Sequence, residues 1–145
     1  MKVGHVFSLV MLCGCAGLSP EEETMREEFK KQVTPEFEQL PATWKRMQDE
    51  GVTTETLLKL SFGYSVPSEE VARKLSTMLQ TKFSYELEVS KIDGAEQWRI
   101  KGSTGQTTVT QEILGKWISY MVQAGVECGG KFEGWGATRL DTGGK

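Results

Sequence analysis

Leu57–Val66 reads LLKLSFGYSV, and its alternation decides the fold. Leu58, Leu60, Phe62, Tyr64 and Val66 share one phase, and Lys59, Ser61, Gly63 and Ser65 share the other. A period of two marks a half-buried strand with one apolar face. Pro67 ends the run, and Ser68 offers its hydroxyl to the first turn of a helix. In that helix Val71, Leu75, Met78 and Leu79 recur at helical spacing. A second alternation sets Phe83, Tyr85, Leu87 and Val89 against Ser84, Glu86, Glu88 and Ser90. Asp93-Gly94 is a turn signal. Gln97–Gly102 then carries Trp98 and Ile100 on one face and Arg99 and Lys101 on the other, with Ser103–Gln106 as a loop or ragged end. Ile113, Leu114, Trp117, Ile118, Met121 and Val122 stripe a second helix, which Gly125 and Gly129-Gly130 kink or stop. Lys131–Leu140 is a glycine-rich last strand.

This pattern predicts strands near 57–66, 83–91, 97–103 and 131–139, and helices near 68–81 and 110–124. The order βαββαβ is an α+β, ferredoxin-like split βαβ sandwich. An antiparallel sheet of four strands carries both helices on one face and turns a polar face to water. Phe62, Tyr85, Leu87, Trp98 and Ile100 are expected to line the covered face.

Toward the N-terminus, Pro41–Glu50 (PATWKRMQDE) reads as a helix with its proline in the first turn and Gly51 as its stop. Trp44 and Met47 should pack on the domain. Glu21–Gln32 reads as an earlier helix, acids first and Lys30-Lys31 last, as the helix dipole prefers. Val33-Thr34-Pro35 should interrupt the two. The chain thus divides into helices over 21–55, a ferredoxin-like domain over 56–140 and a polar tail over 141–145.

The first residues read differently. Lys2 precedes the mostly apolar run Val6–Leu12, the pattern of a secretory leader. That run is far short of the roughly 20 apolar residues that span a bilayer. Leu12-Cys13-Gly14-Cys15 resembles the lipobox of bacterial lipoproteins, which implies removal of 1–14 and lipidation of Cys15, with 15–20 as the tether. Ala16 by the same resemblance implies sorting to the outer membrane, facing the periplasm.

Cleavage would remove Lys2, one of the 17 basic side chains, leaving 20 acidic ones and a net charge of about −4. Such a balance argues against nonspecific nucleic-acid binding. The single histidine, His5, would leave with the leader. That empties the mature chain of Ser-His-Asp, Cys-His and histidine-metal arrangements. With Cys13 lost and Cys15 acylated, Cys128 is the remaining thiol, more fitted to a small buried group than to a nucleophile. No cofactor is expected. No catalytic or metal centre is expected either.

At the last strand the sequence becomes specific. Gly130-Lys131-Phe132-Glu133-Gly134-Trp135-Gly136 resembles the G-x-[YF]-[DE]-G-W-[GE] ending of the regulator of ribonuclease activity B family. Met47–Gly51, Leu58–Val66 and Pro67–Ala72 resemble that family's opening, with methionine where its pattern has leucine. The resemblance covers about Ala42 to Thr138. It implies a ferredoxin-like fold and a module that docks on a protein, ribonuclease E in the family's cytoplasmic setting. An exported chain would not meet that enzyme, and this one lacks the long acidic segments of the family's best-known member. Two alternatives accompany the reading as an envelope-anchored binding module. One is an immunity lipoprotein that neutralises a bacterial toxin. The other is a cytoplasmic-type ribonuclease E inhibitor, if the N-terminus is not a leader.

The candidate protein-binding residues are Lys59, Glu86, Glu88, Arg99, Lys101, Glu133, Trp135 and Arg139, on the polar sheet face and along the last strand. Cross-strand pairing of Glu86 and Glu88 with Arg99 and Lys101 accounts for those charges without catalysis. Trp135 has two readings, a docking anchor or a plug under the N-terminal helices, with Gly134 and Gly136 allowing close approach to it. Gly102–Gly105 lacks a P-loop lysine and reads as a turn.

Overall fold

The structure, a computed structural model, describes residues 19–140. The leader, Cys15 and the tail over 141–145 lie outside them. Helix α1 spans Pro20–Asp49, β1 Leu58–Val66, α2 Glu69–Phe83, β2 Glu86–Lys91, β3 Trp98–Thr107, α3 Gln111–Cys128 and β4 Lys131–Arg139. The four strands form one antiparallel sheet in the order β2-β3-β1-β4. This is the ferredoxin-like arrangement with an N-terminal helical extension.

In β1 the phase read from the sequence is the phase of burial: Leu58, Leu60, Phe62, Tyr64 and Val66 are all buried. Helices α2 and α3 cover that face. Ser68 caps α2 by accepting from Val71 N at 3.2 Å, and Thr110 caps α3 by accepting from Ile113 N at 3.1 Å. Ala72, Leu75 and Leu79 from α2, and Leu114, Ile118, Met121 and Val122 from α3, fill the space between. Tyr64 is fully buried, and its hydroxyl donates to the Met121 carbonyl at 2.7 Å. A Cβ on Gly125 would come within 2.8 Å of that ring. The glycine expected to kink or stop α3 is therefore an internal packing position, and the helix runs on to Cys128.

Three expectations are corrected. The two N-terminal helices are one, 30 residues and about 45 Å long, with Pro35 and Pro41 inside it. Pro35 has no N–H, so the carbonyl four residues back loses its helical donor. One residue earlier the Thr34 hydroxyl donates to Lys30 O at 2.7 Å. Continuity is held by packing: Val33, Leu40, Trp44 and Met47 are buried along one side, and Leu40 sits against Gly115 of α3.

Second, Phe83 ends α2 instead of opening β2. Ser84 takes the left-handed C-cap conformation (φ 58°), and Phe83 stacks on Tyr85 with centroids 4.7 Å apart. Leu75, Leu79 and Phe83 are four apart, so a helical period claims Phe83 as readily as the period of two. Val89, in the core phase, is 38% exposed at the edge strand.

Third, β3 runs past Gly102 to Thr107. The register with β1 shifts between Lys59 and Ser61. Buried Thr104 repairs the ladder, accepting from Leu60 N at 3.1 Å and donating to Gly105 O at 2.7 Å.

Candidate docking surface

The face of the sheet away from α2 and α3 is set by register. On β1 it shows Lys59, Ser61, Gly63 and Ser65. Across β3 stand Arg99 beside Ser65, Lys101 beside Gly63 and Ser103 beside Ser61. On the edge strand β2, Glu88 stands opposite Lys101 and Glu86 opposite Ser103. On β4, Gly134 pairs with Gly63 and Gly136 with Ser61. The register shifts between Gly63 and Tyr64, which makes Glu133 the extra residue of a bulge. Gly134 has φ 141°, a conformation side chains rarely adopt, and it makes that bulge possible. The bulge swings Glu133 so that its carboxylate accepts from the Ser65 hydroxyl at 2.5 Å.

Six of the candidate residues therefore share this face: Lys59, Glu86, Glu88, Arg99, Lys101 and Glu133. The cross-strand register expected for the charges exists, but the contact does not. Among the described residues the ion pairs within 4.0 Å are Lys45–Asp49, Arg73–Glu69 and Lys116–Glu112, all along helices. Arg99 and Lys101 are exposed and have no acidic partner at that distance.

Trp135 and Arg139 lie elsewhere. Trp135 stands beside Phe62 in register, on the covered side. It packs edge-on against Trp117 of α3, centroids 6.1 Å apart. Its indole also reaches the carboxylate of Glu36 on α1. Burial raises the proton affinity of Glu36, and that hydrogen bond opposes the rise. Arg139 donates to Glu50 O at 2.7 Å and so closes the C-terminal end of α1. Both residues tie the last strand to the N-terminal helix. A cleft of about 410 Å³ follows this seam between α1 and residues 133–137.

The sequence reading missed the floor between the charges. Ser61, Gly63, Gly134 and Gly136 leave a trough of about 550 Å³ over β1 and β4, walled by Arg99 and Lys101 on one side and Glu133 on the other. The glycines were legible as letters, but the bulge reverses which side they serve. Gly134 and Gly136 open toward solvent and not toward Trp135.

The covered side holds the aromatic groups. Trp117 donates through its indole N–H to the Tyr85 hydroxyl at 3.1 Å. Burial pushes Tyr85 up, the Trp117 hydrogen bond working against it. Burial also pushes the Tyr64 hydroxyl far above its ordinary range. The Cys128 thiol is pushed up by burial as well, with Lys74 opposing, so it stays protonated and unreactive at neutral pH. Among the described residues no group of three or more His, Cys, Asp or Glu side chains could hold a metal. No helix among them is long and apolar enough to cross a membrane.

The fold defines a class: an α+β, ferredoxin-like domain with one sheet face open and the other packed as core. The model of the family named regulator of ribonuclease activity B matches residues 38–137, more than half of the chain. The chain belongs to that family, whose members are regulators and not enzymes. Comparison with curated protein sequences finds no match.

Proposed function

We propose that this protein is a non-catalytic docking module of its family, tethered by a lipid on Cys15 to the outer membrane, facing the periplasm, with an envelope protein as its partner. The family match over residues 38–137 carries the docking part. The tether rests on Leu12-Cys13-Gly14-Cys15 and on the apolar run before it. The described residues begin their structure at Ser19, whose hydroxyl accepts from Glu22 N while its own N–H donates to the Glu22 carboxylate, each at 3.2 Å. This capping box starts α1 four residues after Cys15, leaving a short link between anchor and helix. Acyl chains in twos or threes hold a protein stably on a bilayer, where one chain holds it weakly.

Expression of the full chain in a Gram-negative host tests the tether. Wild type should partition with membranes and carry the mass of a lipidated, leader-free chain, and Cys15→Ala should lose both. Equal solubility and equal mass of the two proteins would defeat it and return the chain to the family's cytoplasmic role as a ribonuclease inhibitor.

A further inference from the structure

We propose that the glycine-floored trough on the open sheet face receives an extended, acidic peptide segment of the partner protein. The inference rests on the docking reading above and names the site and the chemistry of its occupant.

Of the three floor glycines, Gly134 serves the bulge, but Gly63 and Gly136 have no such backbone cause. Glycines that the fold needs for packing are evident. A Cβ on Gly102 would meet Leu87 at 2.4 Å, one on Gly125 would meet Tyr64 at 2.8 Å, and one on Gly130 would meet Val66 at 2.7 Å. On the open face, a Cβ on Gly63 would find only Ile100 O at 3.6 Å, and one on Gly136 only Ser61 Oγ at 3.4 Å. Neither of these two has a positive φ. Side chains would fit, and β-branched ones would strengthen the strands. Glycine inside a strand marks a bulge or the close approach of a ligand or another backbone; Gly63 lies at the register shift, whereas Gly136 lies beyond it.

The walls select the charge. Arg99 and Lys101 lie two apart on β3, so their side chains rise from the sheet about 7 Å from each other. Among the described residues neither has an acidic group within 4.0 Å, although Lys101 faces Glu88 in register. The opposite wall, Glu133, already accepts a hydrogen bond from Ser65. The charged side chains that line the trough are two cations and one carboxylate, so its net charge is positive. Two carboxylates spaced i,i+2 on an extended segment would meet both cations while the residue between them lies on the glycine floor. Charge-assisted hydrogen bonds from a guanidinium suit carboxylates in particular.

Single-stranded nucleic acid fits less well. The aromatic residues of β1, β3 and β4 occupy the covered phase or pack beneath it, which leaves no stacking platform on this face. A second copy meeting this one trough to trough would bring the same net positive lining to the contact.

The test selects a displayed library of random twelve-residue peptides on the immobilised full chain. Selected sequences are then synthesised with a fluorescent label and titrated by anisotropy, alongside a labelled dT12 oligonucleotide. Enriched peptides should carry Asp or Glu at i and i+2. Their affinity should fall at least tenfold in the double variant Arg99→Glu/Lys101→Glu and in Gly136→Val, and stay unchanged in Lys45→Glu on α1. Gly63→Val serves as a second trough-filling variant if Gly136→Val lowers thermal stability. Basic or uncharged selections, indifference to the trough variants, preferential binding of dT12, or a dimer that Gly136→Val dissolves would each overturn the proposal. Capture of an envelope partner that persists in Gly136→Val would overturn the trough and leave the docking reading standing. Loss of that capture in every preparation of wild type would overturn the docking reading itself.

Discussion

Glu36 shows how a single side chain is shaped by both of its neighbours. It sits where α1 passes β4, half-buried, with the Trp135 indole at its carboxylate. Burial disfavours its charge more than the indole favours it, so its proton affinity in the folded chain exceeds the ordinary carboxylate value of 4.5. A folded state that binds the proton more tightly is stabilised by acid. The contribution is fully present below the unfolded value and is lost as pH rises through the folded one. Glu36→Gln removes the charge and keeps an acceptor for the indole. Its unfolding free energy, taken from the urea midpoint, should exceed that of wild type at pH 7, by less than about 1 kcal/mol because water still screens the site. The two midpoints should coincide at pH 3. A loss of stability at pH 7 would mean that the hydrogen bond outweighs burial. None of this was legible in the sequence, because Glu36 and Trp135 meet only once α1 lies along β4. The motif around Trp135 announced a special residue without saying which side of the strand it would face. A bulge one residue earlier decides that, and bulges leave no periodic trace.

At the scale of elements, what could be read followed from period. The five alternating apolar residues of β1 and the stripes of α2 and α3 were visible because each has a buried face and an exposed one. Boundaries failed where two periods agreed, as at Phe83, or where a side chain replaced a backbone partner, as at Thr104. The joined helix α1 failed differently. Proline is read as a break, and here the packing of Val33, Leu40, Trp44 and Met47 overrides it. The override has a cost that can be measured. An interior proline weakens a helix by about 3 kcal/mol through the lost N–H and the clash with the preceding turn. It recovers about 0.4–1 kcal/mol by restricting the unfolded chain. Pro35→Ala should therefore raise the unfolding free energy by about 2 kcal/mol in urea titrations. An unchanged or lowered value would mean that the packing of the helix is shaped around the proline.

For the molecule as a whole, α1 is more than an extension. Sheets expose two edges, and each needs a defence against pairing with another chain. The β2 edge has one in its own composition, six residues with Glu86, Glu88 and Lys91 among them. The β4 edge borrows its defence from α1: the Gln32 carboxamide oxygen accepts from Phe132 N at 3.2 Å, across a separation of 100 residues. The region that matches the family begins at residue 38, six residues beyond Gln32. A fragment covering 38–145 would keep every strand and both sheet-covering helices, yet lose Gln32 and Val33. It should fold and then associate, with an apparent mass that rises with concentration in size-exclusion chromatography, while the chain beginning at Ser19 elutes as a monomer. A monomeric fragment would show that the edge needs no guard.

That dependence gives the first turns of α1 a meaning for proteolysis. If Cys15 carries the proposed lipid, a protease that cut just beyond Gln32 would free the domain from the membrane and, in the same act, bare the strand that carries Trp135. Shedding and self-association would then be one event. The released form would be recruited into oligomers and not diffuse as a soluble decoy competing for the partner of the tethered one.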